Sequence, residues 1–503
     1  MYLLGVDVGT TRVKVLILSQ DGRIVSSGYS TYELETPSEG LVEINPEVWW
    51  RSFKKTLRHV FEKASIKASE IEAISLSSQL NSITFLDKNG NPVRNSVIWM
   101  DSRGAEQTES LKKYIDPVEY HKITGIRPAA FFTFFKLLWF KENDPETLSK
   151  ADKILQAKDY LCFKLTGELV LDKSMASSAG ILDLSRDDFA YEILDRFEIP
   201  AEKFPKLVSP DSVVGEVSER ASLETGIPKG IPVVAGSGDV MMDALGSGTI
   251  EDHVACNKTA TGSDVVVCYS KPIFDEKLRI AVYRHVIKGK WLIIAGTGAG
   301  VCYRWFRDAF CQLEKTLAED LRIEAYQLMD AQAEKAPPGS DNLIFLPYIN
   351  GVRAPIWNDK AKGMFFGIKY HHSKSHFLRS IMEGIAFSAR HRIDVIEKDI
   401  GIKIKDMRII GGGSRSRIWR KIMADIYNKP LKTLNVSEPE CLAAAILAGI
   451  GARVFRDPQS VVNSVIKIED EIYPEASNTK LYERLYKVYL NLYDRVKDFY
   501  EII

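Results

Sequence analysis

An α/β fold built in two halves is what the 503-residue sequence predicts, and three features predict it. Short β runs alternate with helical stretches along the chain. An N-terminal hairpin with a small-residue turn has a faint echo from residue 254 onward. Apolar strands also run into glycine-rich segments at 236–239 and 411–413. Helices packed on sheets would bury the apolar faces of both. The boundary is expected near 245–252, giving domains 1–248 and 249–503. A cleft between two such halves is a favoured place for a ligand.

Leu3 to Val8 and Val13 to Leu18 read as β runs around the turn Gly9-Thr10-Thr11. Asp21-Gly22 supplies the next tight turn. A helix is expected from about Pro46, whose proline suits a first helical turn, with Val48, Trp49, Phe53, Leu57 and Phe61 apolar. Ile71 to Leu76 and Ser82 to Leu86 read as strands, and helices dominate from 103 to 206. Ile231 to Ala235 is a strand entering the loop Gly236-Ser237-Gly238-Asp239. A second β block starts near Val254, with Thr259-Ala260-Thr261-Gly262-Ser263 as its turn. Then come a strand at 343–346, a helix at about 375–399, a strand at 407–410 and further helices. The last helix carries Leu481, Leu485, Val488, Tyr489, Leu492 and Val496 on one face.

Composition narrows the function classes. Lys plus Arg and Asp plus Glu both total 67, so the formal net charge is zero. Nothing in that balance calls for a nucleic-acid or anionic-membrane partner. No run of 18 apolar residues occurs, and the N-terminus reads as a strand, not a signal peptide. The six cysteines have neither C-x-x-C nor zinc spacing, which suits reduced thiols in the cytoplasm.

Four groups of residues point to chemistry. Asp7 ends a strand before Gly9-Thr10-Thr11, and Lys14 follows. A tight turn of small residues lets backbone N–H groups and hydroxyls approach phosphate oxygens, and Asp7 suits magnesium, which prefers oxygen ligands. A plain hairpin is the alternative. Asp239, at a strand end before a helix, is a candidate general base for an alcohol; an ordinary helix N-cap is the alternative. Gly411, Gly412 and Ser416 lie between an apolar strand and a helix N-terminus, an arrangement that favours anions. This segment is neither a Walker loop nor a dinucleotide fingerprint. Finally, Gln79, Leu80, Asn81, Trp99, Asp101 and Arg103 combine an indole face with charge-assisted donors and acceptors for hydroxyls. A salt bridge beside a buried Trp is the alternative there.

In order and spacing, these groups resemble the FGGY family of carbohydrate kinases. Phe131 to Asn143 and Gly363 to Ile368, the latter followed by His376-Phe377 and Ser380 to Glu383, resemble the family's two long signatures. Phe345 to Tyr348, Trp419 to Asp425 and Glu438 to Ala445 add to the match, which runs from Gly5 to about Gly451. The resemblance implies duplicated ribonuclease-H-like (actin-like ATPase) domains, with ATP and Mg2+ as cofactors. It places Asp7, Thr10, Thr11 and Lys14 in a first phosphate loop and Thr261 and Gly262 in a second. Gly298 and Gly300 approach the terminal phosphates, and Gly411, Gly412 and Ser416 the adenosine. Asp239 becomes the catalytic base and, with Asp7, a magnesium residue. Gln79, Leu80, Asn81, Trp99, Asp101, Arg103 and Asp239 fall on the sugar side.

The stretch Ile98 to Arg103 resembles xylulose kinases, so D-xylulose is the leading substrate. Leu80-Asn81-Ser82 departs from the usual Met-His-Gly of those enzymes, and Gly351 to Pro355 departs from Gly-Glu-Arg-x-Pro. Another ketopentose, a deoxysugar, a polyol or a sugar acid therefore stays open. Readings of another class are a non-catalytic actin-like filament protein and an actin-fold carboxylate kinase. The implied partner is a small-molecule sugar, and a homodimer is compatible with the reading.

Overall fold

The structure is a computed structural model that describes residues 1–260 and 262–502. By packing, the chain divides into two units. The first comprises Met1–Ile250, Tyr269–Leu292 and Glu438–Lys467; the second comprises Glu251–Cys268, Ile293–Ser437 and Ile468–Ile503. Two segments that lie beyond 248 in sequence thus pack into the first unit. The apolar helix Pro439–Gly451 explains one of them: it is buried from Pro439 to Gly449 and lies on strands Tyr2–Val8 and Ile71–Ser78 and on helix Asp239–Gly246. A helix apolar on every side has to be enclosed.

The first sheet runs, edge to edge, Val213–Glu216, Pro232–Gly238, Ile71–Ser78, Tyr2–Val8, Arg12–Ser19, Ile24–Thr31. Its three middle strands, 232–238, 71–78 and 2–8, are parallel, and the remaining pairings are antiparallel. Near-continuous burial along Tyr2–Val8 and Ile71–Ser78 accounts for the apolar residues on both faces of these central strands, with Asp7, Ser77 and Ser78 at their carboxyl ends. Helix Glu47–Ala64 packs on strands 12–19 and 24–31 through Trp49, Trp50, Phe53, Leu57 and Val60. Their three- and four-residue spacing makes one helical stripe. Pro46 is the N-cap, one position before the first helical turn where it was expected, and Ser65 ends the helix in the left-handed region.

The second unit repeats the plan. Strands Trp291–Thr297, Ser263–Tyr269, Val254–Thr259, Asp406–Ile410, Leu431–Leu434 and Ile468–Ile472 follow one another across its sheet. Again an antiparallel hairpin leads into two parallel strands and an antiparallel edge. This repetition is the duplicated ribonuclease-H-like arrangement. The last helix, Ala476–Val496, buries Tyr482, Leu485, Tyr486, Tyr489 and Leu492, whereas Val488 is exposed. Leu485, Tyr489 and Leu492 of the expected face are thus in the core, and Tyr482 and Tyr486 join them; the Tyr489 hydroxyl meets that of Tyr348 at 2.7 Å, which satisfies both where they are buried. Among the described residues no helix is long and apolar enough to cross a membrane.

Candidate active site

The first turn is built as a hairpin end. Gly9 N–H donates to the Arg12 carbonyl at 2.9 Å, and the Tyr32 hydroxyl donates to the Gly9 carbonyl. Asp7 is buried and faces Lys14 in register, with Lys14 Nζ 3.4 Å from Asp7 Oδ2. The amine also reaches Glu438 Oε2 at 2.9 Å and Glu440 Oε2 at 3.5 Å. Burial works against the Lys14 charge, but Asp7, Glu440 and Glu438 outweigh it and hold the amine well above its ordinary pKa. Lys14 was expected to add positive charge to the turn; three carboxylates around one amine leave the region negative instead. Thr11 is exposed, while the Thr10 hydroxyl accepts the Trp99 indole N–H at 2.9 Å and so ties the turn to the sugar-side loop.

Asp7, Gln79 and Asp239 share one edge of the first sheet. Asp7 and Ser237 are both in register with Ser77 on the strand between them. Two strand spacings therefore separate them by about 10 Å. Ligands of open parallel sheets bind outside these carboxyl ends. Gln79 N–H donates to the Val8 carbonyl at 2.9 Å, which fixes its backbone. Its side-chain amide is buried, yet neither Oε1 nor Nε2 has a protein partner. Such a group calls for a polar ligand or solvent.

The segment before Asp239 was expected to be a flexible glycine loop. It is the end of strand Pro232–Gly238, which passes directly into helix Asp239–Gly246. Gly236 sits at φ +67°, and a Cβ there would lie 1.7 Å from the Leu76 carbonyl oxygen, so glycine permits close strand contact at a register irregularity. Nor is Asp239 the N-cap. Gly238 holds that position, and Asp239 is the first helical residue, half-buried, with Oδ1 accepting the Val240 N–H at 2.9 Å.

The sugar-side loops are stapled by a residue whose role sequence reading missed. Lys136, fully buried, donates to the carbonyls of Asn81 (2.9 Å), Ile98 (2.8 Å) and Phe131 (2.9 Å). Leu80 packs toward Gly238, where a Cβ would meet its Cδ2 at 2.0 Å. Asn81, at φ 57°, turns its side-chain oxygen to the Thr133 N–H at 3.3 Å. Trp99 is half-buried. Asp101 and Arg103 are engaged with each other and with neighbouring protein groups. Arg103 donates through Nε and Nη2 to Asp101 and through Nη2 to Glu43, and Asp101 Oδ2 also accepts the Val42 N–H. The pair is a buried ion pair that holds its loop.

In the second unit, Thr261 lies outside the described residues. Gly262 neighbours Asp264, with Oδ2 3.5 Å from where a Cβ would stand. A Cβ on Gly300 would lie 1.6 Å from the Ala260 carbonyl oxygen, so this glycine lets two chain segments touch. Gly298 and Gly412 are exposed, with nothing within 4 Å of a Cβ. Gly411, at φ +84°, follows strand Asp406–Ile410, and a Cβ there would lie 2.7 Å from the Thr259 carbonyl. Ser416 caps helix Arg417–Tyr427 by accepting the Trp419 N–H at 3.2 Å. Bare backbone at 298 and 412 beside a capped helix N-terminus fits a nucleotide. Lys258 and Asp264, also missed, face each other across this hairpin. Aligning the two hairpins in sequence places Lys258 over Asp7.

Repeated sheets, strand-end carboxylates and bare glycine turns define a phosphotransferase of the actin-like class. The model of the FGGY family of carbohydrate kinases, N-terminal domain, matches residues 2–246, and that of the C-terminal domain matches 259–452. The chain belongs to this family and is a carbohydrate kinase. It is 30% identical over 500 residues to a xylulose kinase of Lactococcus lactis subsp. lactis, covering 99% of this chain and 97% of the relative. A gluconokinase of Bacillus subtilis is also 30% identical, over 98% of this chain and 95% of that one. The crystal structure of ligand-bound xylulose kinase from Lactobacillus acidophilus superimposes with a TM-score of 0.91 at 27% identity, covering 99% of both chains.

Proposed function

We propose that the enzyme transfers the γ-phosphoryl group of ATP to a hydroxyl of D-xylulose, giving D-xylulose 5-phosphate, with Asp239 as general base. Enzymes of this family use ATP. The observation that carries the acceptor reading is the unpartnered buried amide of Gln79, an NH2 donor and a carbonyl acceptor at the sheet edge shared with Asp7 and Asp239. Such a group recognises neutral hydroxyls. A sugar acid would call for a cation, and Arg103, the one cation among the assigned sugar-side residues, is taken by Asp101 and Glu43. That favours a ketopentose over gluconate, as the xylulose kinase relatives do.

ATP would be held by Gly298, Gly300, Gly411, Gly412 and Ser416, with Thr261 and Gly262 in the second turn. Mg2+ fits Asp7 and Asp239, because the carboxylates around Lys14 exceed its charge; it would neutralise phosphate charge. Thr10 and Thr11 offer hydroxyls beside Asp7. Asp239 takes the acceptor proton as the oxygen becomes nucleophilic. Trp99, fixed by Thr10, and Asn81, fixed by Lys136, orient the sugar, with Leu80 as an apolar wall. Six buried free cysteines agree with a cytoplasmic enzyme.

The test is Asp239→Asn with ADP release as the readout. Turnover should fall about 10²–10⁴-fold while the fold and ATP binding persist. Near-normal turnover removes Asp239 from the role. An acceptor series of D-xylulose, D-ribulose, glycerol and D-gluconate decides the sugar; a highest kcat/KM for gluconate refutes the ketopentose reading.

A further inference from the structure

Behind Asp239 lies a group of charges that the reaction does not touch. The Lys158, Asp159 and Asp172 side chains are wholly inaccessible to solvent. Lys158 Nζ pairs with Asp159 Oδ1 and lies 2.8 Å from Asp172 Oδ2. The other oxygen of Asp172 accepts the Ser237 hydroxyl at 2.8 Å and the Met175 N–H at 2.9 Å. Burying three charges in one place costs stability, and apolar packing would serve the core better. Their arrangement therefore asks for another account.

The account lies in where Ser237 stands. It is the one side chain between Gly236 and Gly238, at the irregular end of the strand that delivers Asp239. Glycines on both sides leave the backbone little intrinsic preference. The hydroxyl of Ser237 is thus the local handle that fixes how the strand leaves the sheet. The same network continues to the sugar side. Asp159 Oδ2 accepts the Gln156 N–H at 3.2 Å, Gln156 Nε2 donates to the Thr133 hydroxyl at 3.1 Å, and Thr133 contacts Asn81 Oδ1.

We propose that Asp172, held by Lys158, is a positioning residue that aims Asp239 by anchoring the Ser237 hydroxyl. The proposal rests on Asp239 being the base. A displacement of about 1 Å in a reacting group costs on the order of 10²-fold in rate, so the anchor should show in kcat.

Steady-state kinetics and thermal unfolding of Ser237→Ala, Ser237→Thr, Asp239→Asn and the Ser237→Ala/Asp239→Asn double variant test it. The acceptor is whichever of D-xylulose, D-ribulose, glycerol and D-gluconate the wild type turns over fastest. Ser237→Ala should lower kcat about 10–100-fold with both KM values within about twofold and Tm nearly unchanged. Ser237→Thr, which keeps the hydroxyl, should recover most of that loss. In the Asp239→Asn background the alanine change should add less than about twofold, because the group it aims is gone. A normal kcat in Ser237→Ala, or an equal loss with and without Asp239, overturns the anchor alone. Normal turnover in Asp239→Asn overturns the base assignment, and the anchor falls with it.

Discussion

In the first unit, Asp7 stands one residue before the end of its strand and faces Lys14 across the hairpin; in the second, Lys258 stands at the same place and faces Asp264. The surroundings extend the exchange. Glu438 and Glu440 join Asp7 around Lys14, whereas Arg392 and Arg353 join Lys258 in acting on Asp264. One plan thus carries three carboxylates about an amine and, in its second copy, three cations about a carboxylate. Sheet order is set by backbone pairing and apolar strands, and it survives this inversion of side-chain charge. In the proposed function, the negative copy suits a metal ion and a hydroxyl proton, and the positive copy suits a phosphate tail.

Asp7→Asn attacks the comparison most directly. The amide preserves shape and removes the charge. We expect kcat to fall on the order of 10²-fold and the magnesium concentration for half-maximal rate to rise. Unchanged magnesium dependence would break the assignment of the cation to the first hairpin. Next in size is a backbone contrast. Gly411→Ala forces a φ of +84° on alanine and drives its Cβ toward the Thr259 carbonyl, so a loss of about 2–3 kcal/mol is expected. Gly9→Ala, whose nearest neighbour would be the Arg12 carbonyl at 3.3 Å, should stay within about 1 kcal/mol. Equal losses in urea unfolding would show that the two turns are equally constrained. Lys258→Met should then raise the KM for ATP about tenfold, the value of one lost charge-assisted contact, without altering that for the sugar. A change confined to the sugar KM would contradict the anionic role of the second hairpin.

These residues also show where sequence reading stops. The hairpins, the apolar strands and the position of Asp239 at a strand end were legible because apolar runs and small-residue turns leave local patterns. The neutralisation of Lys14 was not, because Glu438 and Glu440 reach it only through the return of helix Pro439–Gly451 to the first sheet. Lys136 and Lys158 read as ordinary charged positions, since nothing nearby in sequence announces three carbonyls or two carboxylates at 0% exposure. Gly236 read as the start of a loop, whereas it lies within the strand and marks a close approach to Leu76. Asp101 and Arg103 read equally as hydroxyl ligands or as a salt bridge, because charge alone does not say whether its partner is protein or substrate; in the structure they form the ion pair.

The smallest effect concerns Asp264, and its sign is informative. Burial pushes its carboxyl pKa up, and the opposing pull of Lys258, Arg392 and Arg353 does not reverse this. An acid whose folded pKa exceeds its unfolded value holds its proton more tightly when folded. Stability from this group is therefore greatest below the unfolded value of about 4 and is lost as pH rises through the folded one. At pH 7.5 the charge costs stability that Asp264→Asn should return, as a rise in Tm. Near pH 4 the unfolded-state difference closes and the gain should vanish. A lower Tm for the variant at pH 7.5 would mean that the three cations outweigh burial, and the second hairpin would then be held together by its charges much as Lys14 is held in the first.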